Sequence, residues 1–297
     1  MTAVVPRSPR SMRGPATPPA ERVRRRLAAS VGVEAARRMP SGYHRMGRVL
    51  LLRLPEEFRP EFPRIGAAWR EELGVTTVIT QVGPIEGELR RPQIEVIAGT
   101  ETETEVIEHG IRYRFDAARI MFATGNRAER QRAGQLTQPG ESVADLFAGI
   151  GYFVLPAALR GRARRVLAVE KNPVAYAYLR QNAERNGVSG RVRSLCGDNR
   201  ELDLPRGEAD RVFLGYLPSA VGWIPRALEL GRPEGVWLHV HTLGDARGGV
   251  DRSMSEVRAA VEAAGASILT APEGRIVKPY GPGRNHVVVD VRVRPRV

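Results

Sequence analysis

The stretch Asp145-Leu146-Phe147-Ala148-Gly149-Ile150-Gly151 decides the fold. It grows out of an apolar run, SVADLF at 142–147, and leads into YFVLPAAL at 152–159, so it reads as the turn between a buried strand and a helix. Glycine at such a junction lets a ligand approach the backbone, and the helix start offers N–H groups that have no intrahelical partner. Outward from this turn the alternation continues. RVLAVE (165–170) is a strand and PVAYAYLRQNAERNG (173–187) a helix with proline in its first turn and glycine at its end. RVRSLCG (191–197), DRVFLG (210–215) and GVWLHVH (235–241) supply further strands. A helix over 251–264 and closing strands at 266–271 and 286–293 complete the pattern. Apolar strands separated by helices predict an α/β, Rossmann-like domain over residues 116–297, its mostly parallel sheet covered on both faces.

The same spacing points to a nucleoside. Glu170 lies nineteen residues after Gly151 at the end of the second strand, where a carboxylate can accept both ribose hydroxyls. A dinucleotide fingerprint would place a third glycine where this chain has Val154, so the close approach needed beside a pyrophosphate is not prepared. S-adenosylmethionine has a ribose but no pyrophosphate, and its amino-acid end can lie against Asp145 and the Gly149–Gly151 turn. Asp198 and Asn199, ending the third strand, fit an acceptor for the adenine amine, or else an Asx helix cap. The crevice of an open α/β sheet lies outside the carboxyl ends of its strands, which puts Gly215-Tyr216-Leu217-Pro218-Ser219 on the substrate side. Tyr216 there is either a stacking platform for a base or a core tyrosine. At most one of His239 and His241 is expected to face the crevice, the other packing away from it.

Ahead of this domain, residues 39–115 read as a small α+β domain. GRVLLLRL (47–54) is a buried strand, PEFPRIGAAWREELG (60–74) an amphipathic helix, and strands follow at 76–82, 92–99, 104–110 and 111–115, the last two joined at His109-Gly110. Residues 1–38 read as a basic disordered arm, although Ala28, Val31, Val33 and Ala36 also fit a short helix. Residues 1–48 hold eleven arginines against two glutamates, Glu21 and Glu34, and account for most of the formal charge of +13. Such a balance fits a polyanionic partner, or a solvated tail on an Arg-rich chain. No window approaches a membrane span, and the single Cys196, read as a small core residue, excludes internal disulfides and multi-thiolate metal sites.

Seven motifs then carry a resemblance. They are Arg119 to Asn126 with Glu129-Arg130, Asp145–Gly151, Val169 to Tyr176, Gly197 to Arg200, Asp210 to Tyr216, Leu238 to His241, and Lys278 to Asp290. Over residues 45–297 the chain resembles the tRNA wybutosine-synthesising aminocarboxypropyltransferases, close relatives of the tRNA guanine-N1 methyltransferases, with the arm before residue 45 unmapped. The Gly215-Tyr216 pair in place of Asn-Pro, and the His-x-His strand end, are similar to the aminocarboxypropyl branch. The resemblance implies a cytoplasmic, monomeric enzyme that needs no metal or membrane. It would move the 3-amino-3-carboxypropyl group of S-adenosylmethionine to a tricyclic guanosine derivative in the anticodon stem-loop of tRNA(Phe). It also implies cofactor contacts from Glu170, Asp198, Asn199 and Arg130, with Thr124 taking over where the usual serine is Ala123, and a reacting face of Tyr216, Pro218 and His241. Two other functions compete: guanine-N1 methylation at the same nucleotide, and a non-catalytic RNA-binding protein with a vestigial cofactor fold.

Overall fold

The computed structural model describes residues 17–296, and the chain divides into two compact units. One comprises the residues up to Gly83 together with Ile94–Glu101, the other Pro84–Gln93 and everything from Thr102 onward.

In the first unit α1 (Pro19–Val31) and α2 (Val33–Arg38) precede four strands. These are β1 (Tyr43–Met46), β2 (Val49–Leu52), β3 (Thr77–Gln81) and β4 (Ile94–Ala98), in the order β1-β2-β3-β4. β2 and β3 run parallel, as their connection through α3 (Phe62–Leu73) requires, and both other pairings are antiparallel. Phe62, Ile65 and Trp69 of α3 pack with Leu50, Leu52 and Val78 in the core.

Of the expected disordered arm over 1–38, the described part is corrected here, because it forms α1 and α2. Ala20, Val23 and Leu27 fall on one face of α1 and are buried in the same core. Three of the α1 arginines are also compensated, Arg22 by Glu72, Arg26 by Glu71 and Arg25 by Glu21. The abundance of arginine hides this apolar stripe, because the long charged side chains occupy the other faces of the helix. Arg7, Arg10 and Arg13 of the expected arm lie outside the described residues.

The second unit is built on a sheet in the order β12-β14-β11-β10-β7-β8-β9. Its strands are β7 (Ser142–Asp145), β8 (Arg165–Glu170), β9 (Val192–Cys196), β10 (Arg211–Leu214), β11 (Val236–Asp245), β12 (Ser267–Ile268) and β14 (Arg284–Arg294). β13 (Glu273–Gly281) adds a hairpin on β14 that the sequence reading did not separate. The five strands from β9 to β11 are parallel and β14 is antiparallel to β11. Helices α4 (Arg127–Leu136), α5 (Val154–Leu159), α6 (Pro173–Arg185), α7 (Ile224–Leu230) and α8 (Gly249–Ala263) complete the unit. Among the described residues no helix is long and apolar enough to cross a membrane.

The expected boundary at residue 115 also moves. β5 (Glu103–Glu108) and β6 (Ile111–Asp116) form the predicted hairpin, with His109 and Gly110 both at positive φ in its turn, but they belong to the second unit. Asn182 of α6 and Asn186, which caps its C-terminus, supply the reason. Their amides bond the backbone of Arg114 and Arg112 in both directions, doing for β6 what a neighbouring strand would do. Cys196 is exposed rather than in the core, because β9 is the last strand of the sheet.

Candidate active site

The carboxyl ends of the five parallel strands border one cavity of about 1260 Å³, counting its open mouth. The turn after β7 forms its floor. Gly149 has φ 56°, and a Cβ there would stand 2.5 Å from the Tyr152 ring, whose hydroxyl donates to the Met121 carbonyl at 2.6 Å. Only glycine fits between that pinned ring and the cavity.

Glu170, at the end of β8, accepts from the Gly149 N–H through one carboxylate oxygen and from the Asn172 N–H through the other, both at 2.7 Å. Each oxygen keeps a lone pair. Burial raises this carboxyl above its ordinary value, against the opposing pull of these backbone donors. Asp145 lies deeper and is fully buried. Its Oδ1 accepts from the Phe147 N–H at 3.0 Å while Oδ2 has no partner. Burial pushes Asp145 up to about 7, with the nearby Glu170 carboxylate adding to the rise.

At the end of β9, Asp198 is already taken up. It accepts from the Arg200 side chain and backbone and from Lys171 Nζ at 2.9 Å, and Arg200 foremost holds it well below the usual carboxylate range. Lys171 and Arg200 both reach Glu88 as well, at 2.7 and 3.0 Å. This four-charge cluster ties the segment 84–93 to the strand ends. Arg90 of the same segment donates to the Leu217 carbonyl at 3.1 Å and to the Tyr280 hydroxyl at 3.3 Å. The side chain that keeps an open acceptor at β9 is Asn199, whose amide nitrogen donates to the Leu146 carbonyl while its buried Oδ1 has no partner.

On the remaining side stand Tyr216, Phe147 and Trp223, three rings with centroids 5.1–5.2 Å apart. Tyr216 is therefore both packed and cavity-lining. The loop after β10 is clamped to β11: the Leu243 N–H donates to the Pro218 carbonyl and the Ala220 N–H to the His241 carbonyl. His239 and His241 do not divide between faces as expected. Residues two apart on a strand share a face, and distance along the strand separates them. His239 lies deeper, stacked on Phe213, while His241 stands at the cavity against Phe153. His241 Nδ1 is 2.8 Å from Nε2 of His286, which also borders the cavity.

Of the residues singled out from sequence, Arg130, Gly149, Glu170, Asp198, Asn199, Tyr216 and His241 border the cavity, whereas Thr124, Asp145, Gly151 and Pro218 do not. Gly151 packs on Leu155 instead, and Pro218 serves the loop clamp. Arg130 is buried in a two-pronged ion pair with Glu108 and donates to the Ala123 carbonyl, so three of its five N–H groups are taken up. Sequence reasoning missed Glu88 and Arg90, which lie in a segment without periodicity. It also missed Asn126, Lys171, Asn172 and His286, although these sit inside motifs already quoted. Among the described residues no group of three or more His, Cys, Asp or Glu is placed to hold a metal ion.

Two family profiles match the chain, the TRM5/TYW2 methyltransferase domain over residues 104–269 and the TYW2 N-terminal domain over 23–102. The second begins inside the arm that the resemblance had left unmapped. The tRNA(Phe) (4-demethylwyosine(37)-C(7)) aminocarboxypropyltransferase of Pyrococcus horikoshii is 37% identical over 274 residues, 92% of this chain and 96% of that protein. A crystal structure of P. horikoshii TYW2 in complex with MeSAdo is similar at a TM-score of 0.80 and 32% identity, over 93% of this chain and all of that one. Pyrococcus abyssi Trm5b is similar at a TM-score of 0.75 and 30% identity, over 88% of this chain and 77% of the other.

Proposed function

Because the chain belongs to the family of the TRM5/TYW2 methyltransferase domain, we propose that it acts as its aminocarboxypropyl-transferring members do. The donor is S-adenosylmethionine, and the acceptor is 4-demethylwyosine beside the anticodon of tRNA(Phe). The carrying observation is the near full-length likeness to an aminocarboxypropyltransferase, in a chain whose loop after β10 offers Gly215-Tyr216 and no Asn or Asp side chain.

The cavity suits this donor on its own chemistry. Glu170 keeps lone pairs for two ribose hydroxyls, and Asn199 Oδ1 is a buried acceptor in want of a donor such as the adenine amine. Gly149 and Arg130, two of whose N–H groups are not taken up, border the same cavity and would receive the amino-acid end. When bound, the donor supplies an electrophilic carbon next to a sulfonium, and the sulfur leaves with the bonding pair. The protein's part is placement and dryness. Phe147, Tyr216 and Trp223 exclude water and give a flipped-out base an aromatic surface, while Pro218 holds that loop against the His241 end of β11. The reading carries with it a cytoplasmic location and action as a monomer.

Mass analysis of both products after incubation with tRNA(Phe) bearing 4-demethylwyosine tests the proposal. Methylthioadenosine and an aminocarboxypropylated base are expected. S-adenosylhomocysteine as the sole nucleoside product would replace this reading with methyl transfer.

A further inference from the structure

Transfer to a ring carbon must dispose of a proton. The new C–C bond forms as the C–S bond breaks and sulfur takes its electron pair. The base then carries positive charge until its C–H pair returns to the ring and the proton departs. A C–H made acidic in this way needs only a weak base, provided that base is close and unpartnered.

Most candidates bordering the cavity are engaged. Both Glu170 oxygens accept backbone N–H groups, Asp198 is ion-paired to Arg200 and Lys171, and Glu88 is paired at the rim. Two nitrogens are different. His241 Nε2 and His286 Nδ1 are buried without hydrogen-bond partners, in rings only 2% exposed that are joined to each other by the 2.8 Å contact between His241 Nδ1 and His286 Nε2. That contact admits one proton. If it lies on His241 Nδ1, then His241 Nε2 carries a lone pair.

We propose that His241 is the catalytic residue that takes the proton from the reacting carbon on Nε2, and that His286 is the positioning residue that holds it in the required tautomer. The assignment rests on the aminocarboxypropyl reading above. The surroundings support it. Burial keeps both rings neutral before reaction, reinforced at His286 by Lys278, Arg275 and Arg90. His241 senses His286, His239, Arg132 and, in the stabilising sense once it is protonated, Asp290. Its Nδ1 proton can pass to His286 Nε2 as Nε2 is protonated, spreading the new charge over two rings.

The test begins without catalysis. In the full-length protein labelled with ¹⁵N-histidine, NMR should show His241 neutral with its proton on Nδ1, and His286→Gln should keep that form while His286→Leu loses it. Single-turnover transfer to tRNA(Phe) bearing 4-demethylwyosine should fall about 10²–10⁴-fold in His241→Ala. Cofactor affinity by calorimetry should stay within threefold, and added imidazole should restore at least tenfold of the rate. His286→Gln should retain far more activity than His286→Leu. Three results would each overturn the assignment: His241 carrying its proton on Nε2, a His241→Ala rate within threefold of the unmodified protein, or loss of cofactor binding in both His241→Ala and His241→Asn. If the unmodified protein itself yields no aminocarboxypropyl product, it is the function and not the proton acceptor that has failed.

Discussion

Two regions along β11 use the same residue type in opposite ways. Both ring nitrogens of His239 have partners. Arg211 Nη1 meets its Nε2 at 2.6 Å, and since arginine cannot accept, Nε2 accepts and the Nδ1–H donates to Asp290. The chain of charges runs on in both directions, from Arg211 to Glu141 and from Asp290 through Arg132 to Glu129 and Arg275. Two residues further, His241 has one nitrogen bonded and one open. Buried polar groups that are fully partnered hold a fold together. Those left with an unmet capacity are where a ligand or a proton can be received.

Breaking the partnered region should have the largest effect. Asp290→Ala leaves the buried His239 Nδ1–H without an acceptor and Arg132 with Glu129 alone, and should cost about 3–5 kcal/mol of stability by chemical denaturation. His241→Ala should cost clearly less by the same measurement. Equal losses would erase the contrast between the two histidines.

Asp145 extends the contrast to acidity. Its folded-state value of about 7 lies above that of an unfolded aspartate, about 3.9, so the folded protein binds the extra proton between them. Stability of the protein without cofactor should therefore decline as pH rises from about 4 to 7, approaching about 1.4 kcal/mol per pH unit from this group. Asp145→Asn should remove that decline. A denaturation midpoint with the same pH slope in both proteins would show that Asp145 Oδ2 finds a partner in solution.

Glu170 is intermediate, half engaged and half open. Glu170→Ala should weaken S-adenosylmethionine binding roughly ten- to a hundredfold in calorimetry, corresponding to about 1–3 kcal/mol for hydroxyls left unpaired. Unchanged affinity would mean that the ribose lies elsewhere. The smallest effect is expected at the half-exposed Glu88. Glu88→Gln should change stability by less than about 1 kcal/mol, because solvent screens its pairs with Lys171 and Arg200. Cofactor release in stopped flow should accelerate a few-fold as segment 84–93 loosens.

The strand–turn–helix around Gly149, the acidic residue ending β8 and the polar pair ending β9 were legible because each is local. Apolar periodicity, a glycine demanded by the backbone and a fixed spacing all act within some twenty-five residues. Asp198 shows the limit of such reading. Its place at a strand end was readable, but the cations that occupy it come partly through Glu88, more than a hundred residues away, and the open acceptor is its neighbour Asn199. The N-terminal helices were obscured in another way, since arginine abundance dominated the composition while three small or aliphatic residues one helical turn apart carried the packing.

The alternation of strands and helices after residue 142, the parallel sheet and the polar strand ends follow from the sequence alone, because hydrophobic period and turn chemistry are properties of neighbouring residues, and the family follows from its motifs. Which polar atoms are left open does not. That depends on partners brought together from distant parts of the chain, such as His286 against His241 and Asp290 against His239. Two histidines that look equivalent in Leu238-His239-Val240-His241 become a structural link and an available base only when the folded chain fills the bonding capacity of one and leaves the other incomplete.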